Sequence, residues 1–204
     1  MGKIISIIGP TSSGKSLLCR ELQKKTGWPM VKEFENMPKE IEEEFNIDPE
    51  SLKLQVWFRN QRINAIMKAR ELSKTNNVLL DTCFITSEVH INKMKEGLEK
   101  EITKEMFEQD LKTYKLPDII LGIMCTEEQL YKFYKKRNAA YEQAEGIFEH
   151  YKELRKLYLQ LYKKYPQIIK LSTEGLEFHN SEDTEKILAV IKNQLRDKTN
   201  DLSR

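Results

Sequence analysis

Five apolar residues, IISII at 4–8, run straight into GPTSSGKS at 9–16, and no other stretch constrains this chain as tightly. The spelling is G-x-x-x-x-G-K-S, with Gly9, Gly14, Lys15 and Ser16 in fixed places. The glycines let the backbone turn tightly, so that successive N–H groups point into one concavity. A helix starting near Lys15 adds the positive end of its dipole. In such a loop the lysine reaches the β- and γ-phosphates, and the following hydroxyl is placed for Mg²⁺. The context fits: Ile4, Ile5, Ile7 and Ile8 read as a strand, and Leu17, Leu18 and Leu22 follow at helical spacing. The expected nucleotide contacts are Gly9, Thr11, Ser12, Ser13, Gly14, Lys15, Ser16 and Leu17.

Strand-like runs recur at 29–33, 77–81, 118–124 and 167–172, with helical stretches between them. Residues 51–74 and 181–196 are amphipathic, and 128–164 is helix- and lysine-rich. Strands alternating with helices imply parallel pairing through right-handed crossovers. The expected fold is therefore α/β: a P-loop-type, doubly wound five-stranded parallel sheet flanked by helices. The 204 residues suit one domain, 1–196, with a polar tail at 197–204.

Composition narrows the function. The 34 basic and 32 acidic residues nearly cancel, which argues against a nucleic-acid-coating protein. No apolar run approaches the roughly 20 residues of a membrane helix. The first strand is expected to begin at once, which would leave no room for a leader. Cys19, Cys83 and Cys125 are scattered without C-x-x-C spacing, which speaks against zinc or disulfides and for a reducing cytoplasm.

In a doubly wound sheet, ligands sit beyond the carboxyl ends of the strands. The loop 9–16, residues 33–36, Asp81 and the segment 173–178 are expected there, facing one cleft. Asp81 suits Mg²⁺, alone or with Ser16; it could equally cap the next helix. Glu33 or Glu35 could accept a proton from a substrate hydroxyl, or both could be solvated loop acids. Gln55 and Arg62, seven apart, share a helix face; an amide suits a nucleobase edge and an arginine an anion, though plain helix surface reads the same. Lys132, Lys135, Lys136 and Arg137 form a basic cluster that could close over a triphosphate or simply face solvent.

Taken in order, these pieces resemble the deoxyribonucleoside kinase family, the group of deoxycytidine, deoxyguanosine, deoxyadenosine and mitochondrial-type thymidine kinases. The resemblance runs from Gly2 to about Leu195. WPMVKEF is similar to the family's W-x-V-V-x-E-P, which implies Glu33 as the general base. LQVWFRNQR resembles F-Q-x-x-x-x-x-x-R, implying Gln55, Trp57 and Arg62 on the substrate side. KKRNAAYEQ looks like the family's helical lid, at about 132–146; Lys136 and Arg137 would act on the phosphates and Glu142 on the sugar 3′-hydroxyl. The ending resembles the family's adenine-side loop and last helix, implying Glu177 and Phe178 beside ATP.

The resemblance further implies a nucleoside substrate, ATP and Mg²⁺ as cofactors, and a homodimer through residues 51–74 and 84–96. Three departures stand out. Asp81-Thr82-Cys83 replaces the family's acid-Arg-Ser, Phe34 replaces a proline, and the lid is poorer in arginine. Arg59 or a lysine could compensate. Otherwise the acceptor could be a nucleoside monophosphate or another small alcohol, with Arg59 and Arg62 binding its phosphate, or the chain could be a catalytically weak nucleotide-binding regulator.

Overall fold

The strand β1 (Ile4–Ile8) is buried along its whole length, because it is hydrogen-bonded to a parallel neighbour on each side. This computed structural model describes residues 2–137 and 146–200, with side chains as far as 136 and 196 in those two segments. Its sheet has the order β2-β3-β1-β4-β5, where β2 is Met30–Val31, β3 Val78–Asp81, β4 Ile119–Met124 and β5 Ile168–Ser172. All pairings are parallel, with Ile7 opposite Asp81 on one side and Leu121 on the other. Strands β1, β3 and β4 are apolar and buried nearly throughout, as expected where helices cover both faces. The edge strand β5 instead alternates, with Lys170 exposed.

Helices fill the connections: α1 (Lys15–Thr26), α2 (Lys39–Ile47), α3 (Leu52–Leu72), α4 (Ser87–Lys93), α5 (Leu98–Thr113), α6 (Glu127–Arg137), α7 (Ile147–Lys164) and α8 (Ser181–Asn200). A 3₁₀ turn, Phe84–Thr86, leads into α4. Ser51 caps α3 by accepting from the Leu54 N–H at 3.4 Å. The chain runs from β1 outward to β2 and β3, then returns across β1 to β4. The loop after β1 therefore sits where the winding reverses, the place such sheets bind ligands.

Two expectations are corrected. The second strand is only Met30–Val31, since it lies at the sheet edge and pairs with β3 alone, and the chain bends at Glu33 and again at Glu35. Helix α8 runs on to Asn200, into the stretch read as a tail. No described helix is long and apolar enough to cross a membrane. Cys19, Cys83 and Cys125 are free and buried.

Gly122 of β4 lies beneath Tyr162 of α7. A Cβ there would come within 2.8 Å of the Tyr162 ring and of Ile168 Cγ2. The Tyr162 hydroxyl is anchored, lying 3.2 Å from the Ile123 carbonyl and 3.3 Å from that of Ile8. An alanine can stabilise by about 0.4–1 kcal/mol through the unfolded chain, whereas overpacking costs about 1–3 kcal/mol. Overpacking wins against a ring that cannot move. Gly122→Ala is expected to lower the urea midpoint, and an unchanged midpoint would contradict this packing.

Candidate active site

The loop after β1 is shaped by close contacts. Gly14 has φ +88°, and a Cβ there would meet the Phe178 ring at 2.7 Å. A Cβ on Gly9 would press on Ser13 Oγ at 2.9 Å and Ile123 Cβ at 3.1 Å. Ser12 also has positive φ, 61°. Lys15 Nζ donates to the Pro10 carbonyl at 3.0 Å, inside the curve of the loop. No side chain among the described residues caps α1, so something other than a capping residue must satisfy its first amides.

Two cavities meet at this loop, where one cleft was expected. The smaller, about 320 Å³, is walled by Thr11, Glu33, Gln55, Arg62, Asp81 and Thr82, among others. The larger, about 1120 Å³, takes in Ser12, Gly14, Leu17, Lys132, Lys136, Glu177 and Phe178. Lys15, Ser16 and Arg20 line both.

In the smaller cavity, Arg62 Nε donates to Glu33 Oε1 at 2.7 Å, and another guanidinium nitrogen donates to Ser87 Oγ at 3.1 Å. The same guanidinium lies 5.4 Å from the centroid of the Phe58 ring. Gln55 Nε2 donates to the Pro49 carbonyl at 3.3 Å, leaving its other N–H and its acceptor oxygen for a ligand. Because β2 ends early, Glu33 and Glu35 part: Glu33 enters the cavity, while exposed Glu35 pairs with Lys32 at 2.6 Å.

Burial raises the Asp81 carboxyl above its ordinary 3.8, against the pull of Lys15 and of a hydrogen bond with Ser16. Asp81 Oδ1 is buried without a partner among the described residues. A buried carboxylate oxygen left unsatisfied beside a hydroxyl suits a small hard cation, which needs few protein ligands when phosphates supply the rest. The pair Ser16 and Asp81 therefore fits Mg²⁺. Thr82, where the resemblance expects arginine, has φ 71°, rare for a β-branched residue and costing about 1–3 kcal/mol.

His90 and His150 also line this cavity. Burial holds both imidazoles below the usual range, His150 at about 4. Both are thus neutral near pH 7, each with one donor and one acceptor. At the edge, Lys93 bridges Glu50 at 2.8 Å and Glu153 at 2.5 Å, and His150 Nδ1 lies 3.8 Å from Glu50.

The larger cavity is closed on one side by α6. Lys132 reaches Glu177 at 3.7 Å, and the Phe133 and Phe178 rings lie nearly parallel, 6.4 Å between centroids. Lys135 points elsewhere, over Tyr131 and Tyr134. Glu142 and the Arg137 side chain lie outside the described residues.

Two further readings of the sequence change. Trp57 is not in the cavity wall; it packs edge-to-face on Phe34 and Phe58, at 5.2 and 4.9 Å. Phe58 takes its place, as helical spacing allows, being three residues after Gln55 and four before Arg62. Arg59 cannot compensate for the missing arginine, because Asp110 of α5 holds it at 2.7 and 2.5 Å, outside both cavities. Arg20 belongs to no motif yet lines both cavities, one turn beyond Ser16 on α1.

A family description, deoxynucleoside kinase, matches residues 5–196. No curated protein matches the chain. Among solved structures, the chain is similar to deoxyadenosine kinase from M. mycoides with the products dCMP and a flexible dCDP bound. That likeness has TM-score 0.74 and 18% identity, and covers 93% of this chain and 99% of that one. The same kinase with dATP bound gives TM-score 0.72 at 19% identity, with the same coverage. NadR protein in complex with NR gives 0.64 at 18%, covering 95% of this chain and 50% of that one.

Two stability measurements check the electrostatics. A carboxyl whose folded pKa is raised holds its proton more tightly in the fold than in the unfolded chain. Stability then falls as pH climbs through the window that opens at 3.8. Asp81→Asn is expected to raise the urea midpoint at pH 7 and to change it little at pH 3.5; no gain at pH 7 would contradict this. His150 has the opposite window. Between pH 6.5 and about 4 the unfolded chain accepts a proton that the fold refuses, so stability drops as pH falls, by up to about 3 kcal/mol. His150→Gln should flatten part of that acid slope, with His90 left to supply the remainder.

Proposed function

Since the chain belongs to the deoxynucleoside kinase family, we propose that it transfers the γ-phosphoryl group of ATP, with Mg²⁺, to the 5′-hydroxyl of a deoxyribonucleoside, in nucleotide salvage. One observation carries this reading: the two cavities share Lys15 and Ser16, so that a donor and an acceptor would meet there. The larger would take the triphosphate with its base beside Glu177 and Phe178. The smaller would take the nucleoside, with Gln55 and Arg62 toward the base and Phe58 against it.

In this reading Glu33 takes the proton of the attacking hydroxyl. Arg62 fixes one of its oxygens at 2.7 Å; the other makes no hydrogen bond to the described residues and faces the task. Lys15 and the loop amides hold the donor phosphates, and Lys132 and Lys136 add positive charge from α6. Ser16 and Asp81 would hold Mg²⁺, which when bound offsets phosphate charge and aligns the transferring group. Arg137 and the 3′-hydroxyl contact by Glu142 belong to the proposal on the resemblance alone. So does a homodimer: α3 exposes Met67, whereas α4 turns Val89 and Ile91 into its own core. A cytoplasmic setting is supported by the three free thiols.

A monophosphate acceptor would need a free pair of cations near its phosphate. Arg59 is engaged by Asp110 and Arg62 by Glu33, which favours the uncharged nucleoside. The regulator alternative, raised by Thr82, makes the opposite forecast for catalysis.

Purified protein with Mg-ATP is expected to phosphorylate at least one of the four deoxynucleosides and to leave their monophosphates untouched. Glu33→Gln should lower kcat by about 100-fold or more, with the nucleoside still bound. Turnover of monophosphates alone would select the other acceptor. ATP binding with no turnover of either would select the regulator.

A further inference from the structure

We infer that Arg20 is the cation that meets the phosphoryl group as it passes from one cavity to the other. The inference rests on the kinase reading above and assigns a residue outside the phosphate-loop motif. Among the described residues, three line both cavities, and two of them, Lys15 and Ser16, are already in the motif. Arg20 is the third. It stands four residues after Ser16 on α1, which places both on one helix face over the junction.

The other described cations of the smaller cavity, Lys15 with its bond to the Pro10 carbonyl included, are engaged. Arg62 is bound to Glu33 and Ser87, and Lys32 to Glu35. Across the cavity, the end of β3 offers the Asp81 carboxylate and the buried Thr82 hydroxyl, with no positive charge. Exposed Arg20 makes no ion pair or hydrogen bond with the described residues, and its charge is close enough to act on Asp81. A long guanidinium at the seam of two cavities, unclaimed by a carboxylate, is built for an anion that arrives there. Its planar fork can bridge two phosphoryl oxygens at once, which an ammonium cannot.

In the step itself, the bond from the nucleoside 5′-oxygen to phosphorus forms while the bond from phosphorus to the ADP oxygen breaks. The hydroxyl proton goes to Glu33. Arg20 exchanges no atom and no proton; it offsets charge on the oxygens in flight.

Two measurements on Arg20→Gln and Arg20→Lys test this. Steady-state kinetics should show kcat lowered by about 30-fold or more in R20Q with the nucleoside KM within threefold of the parent, and a partial recovery in R20K. A kcat within threefold of the parent in R20Q would overturn the assignment. Inorganic tripolyphosphate supplies a readout that needs no turnover. It should raise the thermal midpoint of the parent, and by less than half as much in R20Q. An equal rise in both proteins would also overturn the assignment. A parent that phosphorylates no deoxynucleoside would defeat the kinase reading instead, and the tripolyphosphate comparison would still decide whether Arg20 holds phosphate.

Discussion

Everything at the ligand rim depends on β1 being paired on both of its edges. That double pairing fixes where residue 9 leaves the sheet, and it sets Ile7 level with Asp81. The loop can then curl over a rigid floor, since Gly9 has no room for a side chain above Ile123 and Gly14 none beneath Phe178. A phosphate-binding loop on a mobile base would hold its amides in no fixed direction. Here the floor is a strand buried along its whole length, so the amides are oriented before any ligand arrives.

The charges above that floor are arranged for position more than for stability. An ion pair such as half-buried Glu33 with buried Arg62 gains little net free energy, because taking the guanidinium and part of the carboxylate out of water offsets much of their attraction. What the pair does is remove freedom: Arg62 is gripped by Glu33 and Ser87 and capped by Phe58, and Glu33 is left with one oxygen to use. Asp81 makes the complementary case. Its carboxyl is held in a place that disfavours its charge, and a cation beside Ser16 would relieve that. Strain at Thr82 and an unsatisfied oxygen at Asp81 are the expected signs of a fold that gives up some stability at its working end.

The sheet, its parallel sense and the phosphate loop were legible because each has a short-range signature: β-branched runs, helical spacing and a fixed glycine-lysine spelling. Glu33, Gln55 and Arg62 were legible as types, and the fold brings them to one cavity. Trp57 misled because a neighbouring aromatic in the motif draws attention, whereas the helical repeat of 3.6 residues points Phe58 inward. Edge position shortened β2, which periodicity cannot foresee, and that early bend separated Glu33 from Glu35. His90 and His150 carry no motif at all: they come to the site from α4 and α7 through tertiary packing, for which a linear chain offers no local rule. Arg20 belongs to no motif either, but it sits one helical turn after Ser16 on α1, so local spacing alone places it beside the phosphate loop.

The ring of Trp57 has a practical meaning of its own. It leans on Phe34, the immediate neighbour of Glu33, while Trp28 stands just ahead of β2 on the other end of the same segment. The chain holds only these two indoles. Its intrinsic fluorescence is therefore tied to the bend that carries Glu33, giving a native optical gauge of when that bend shifts.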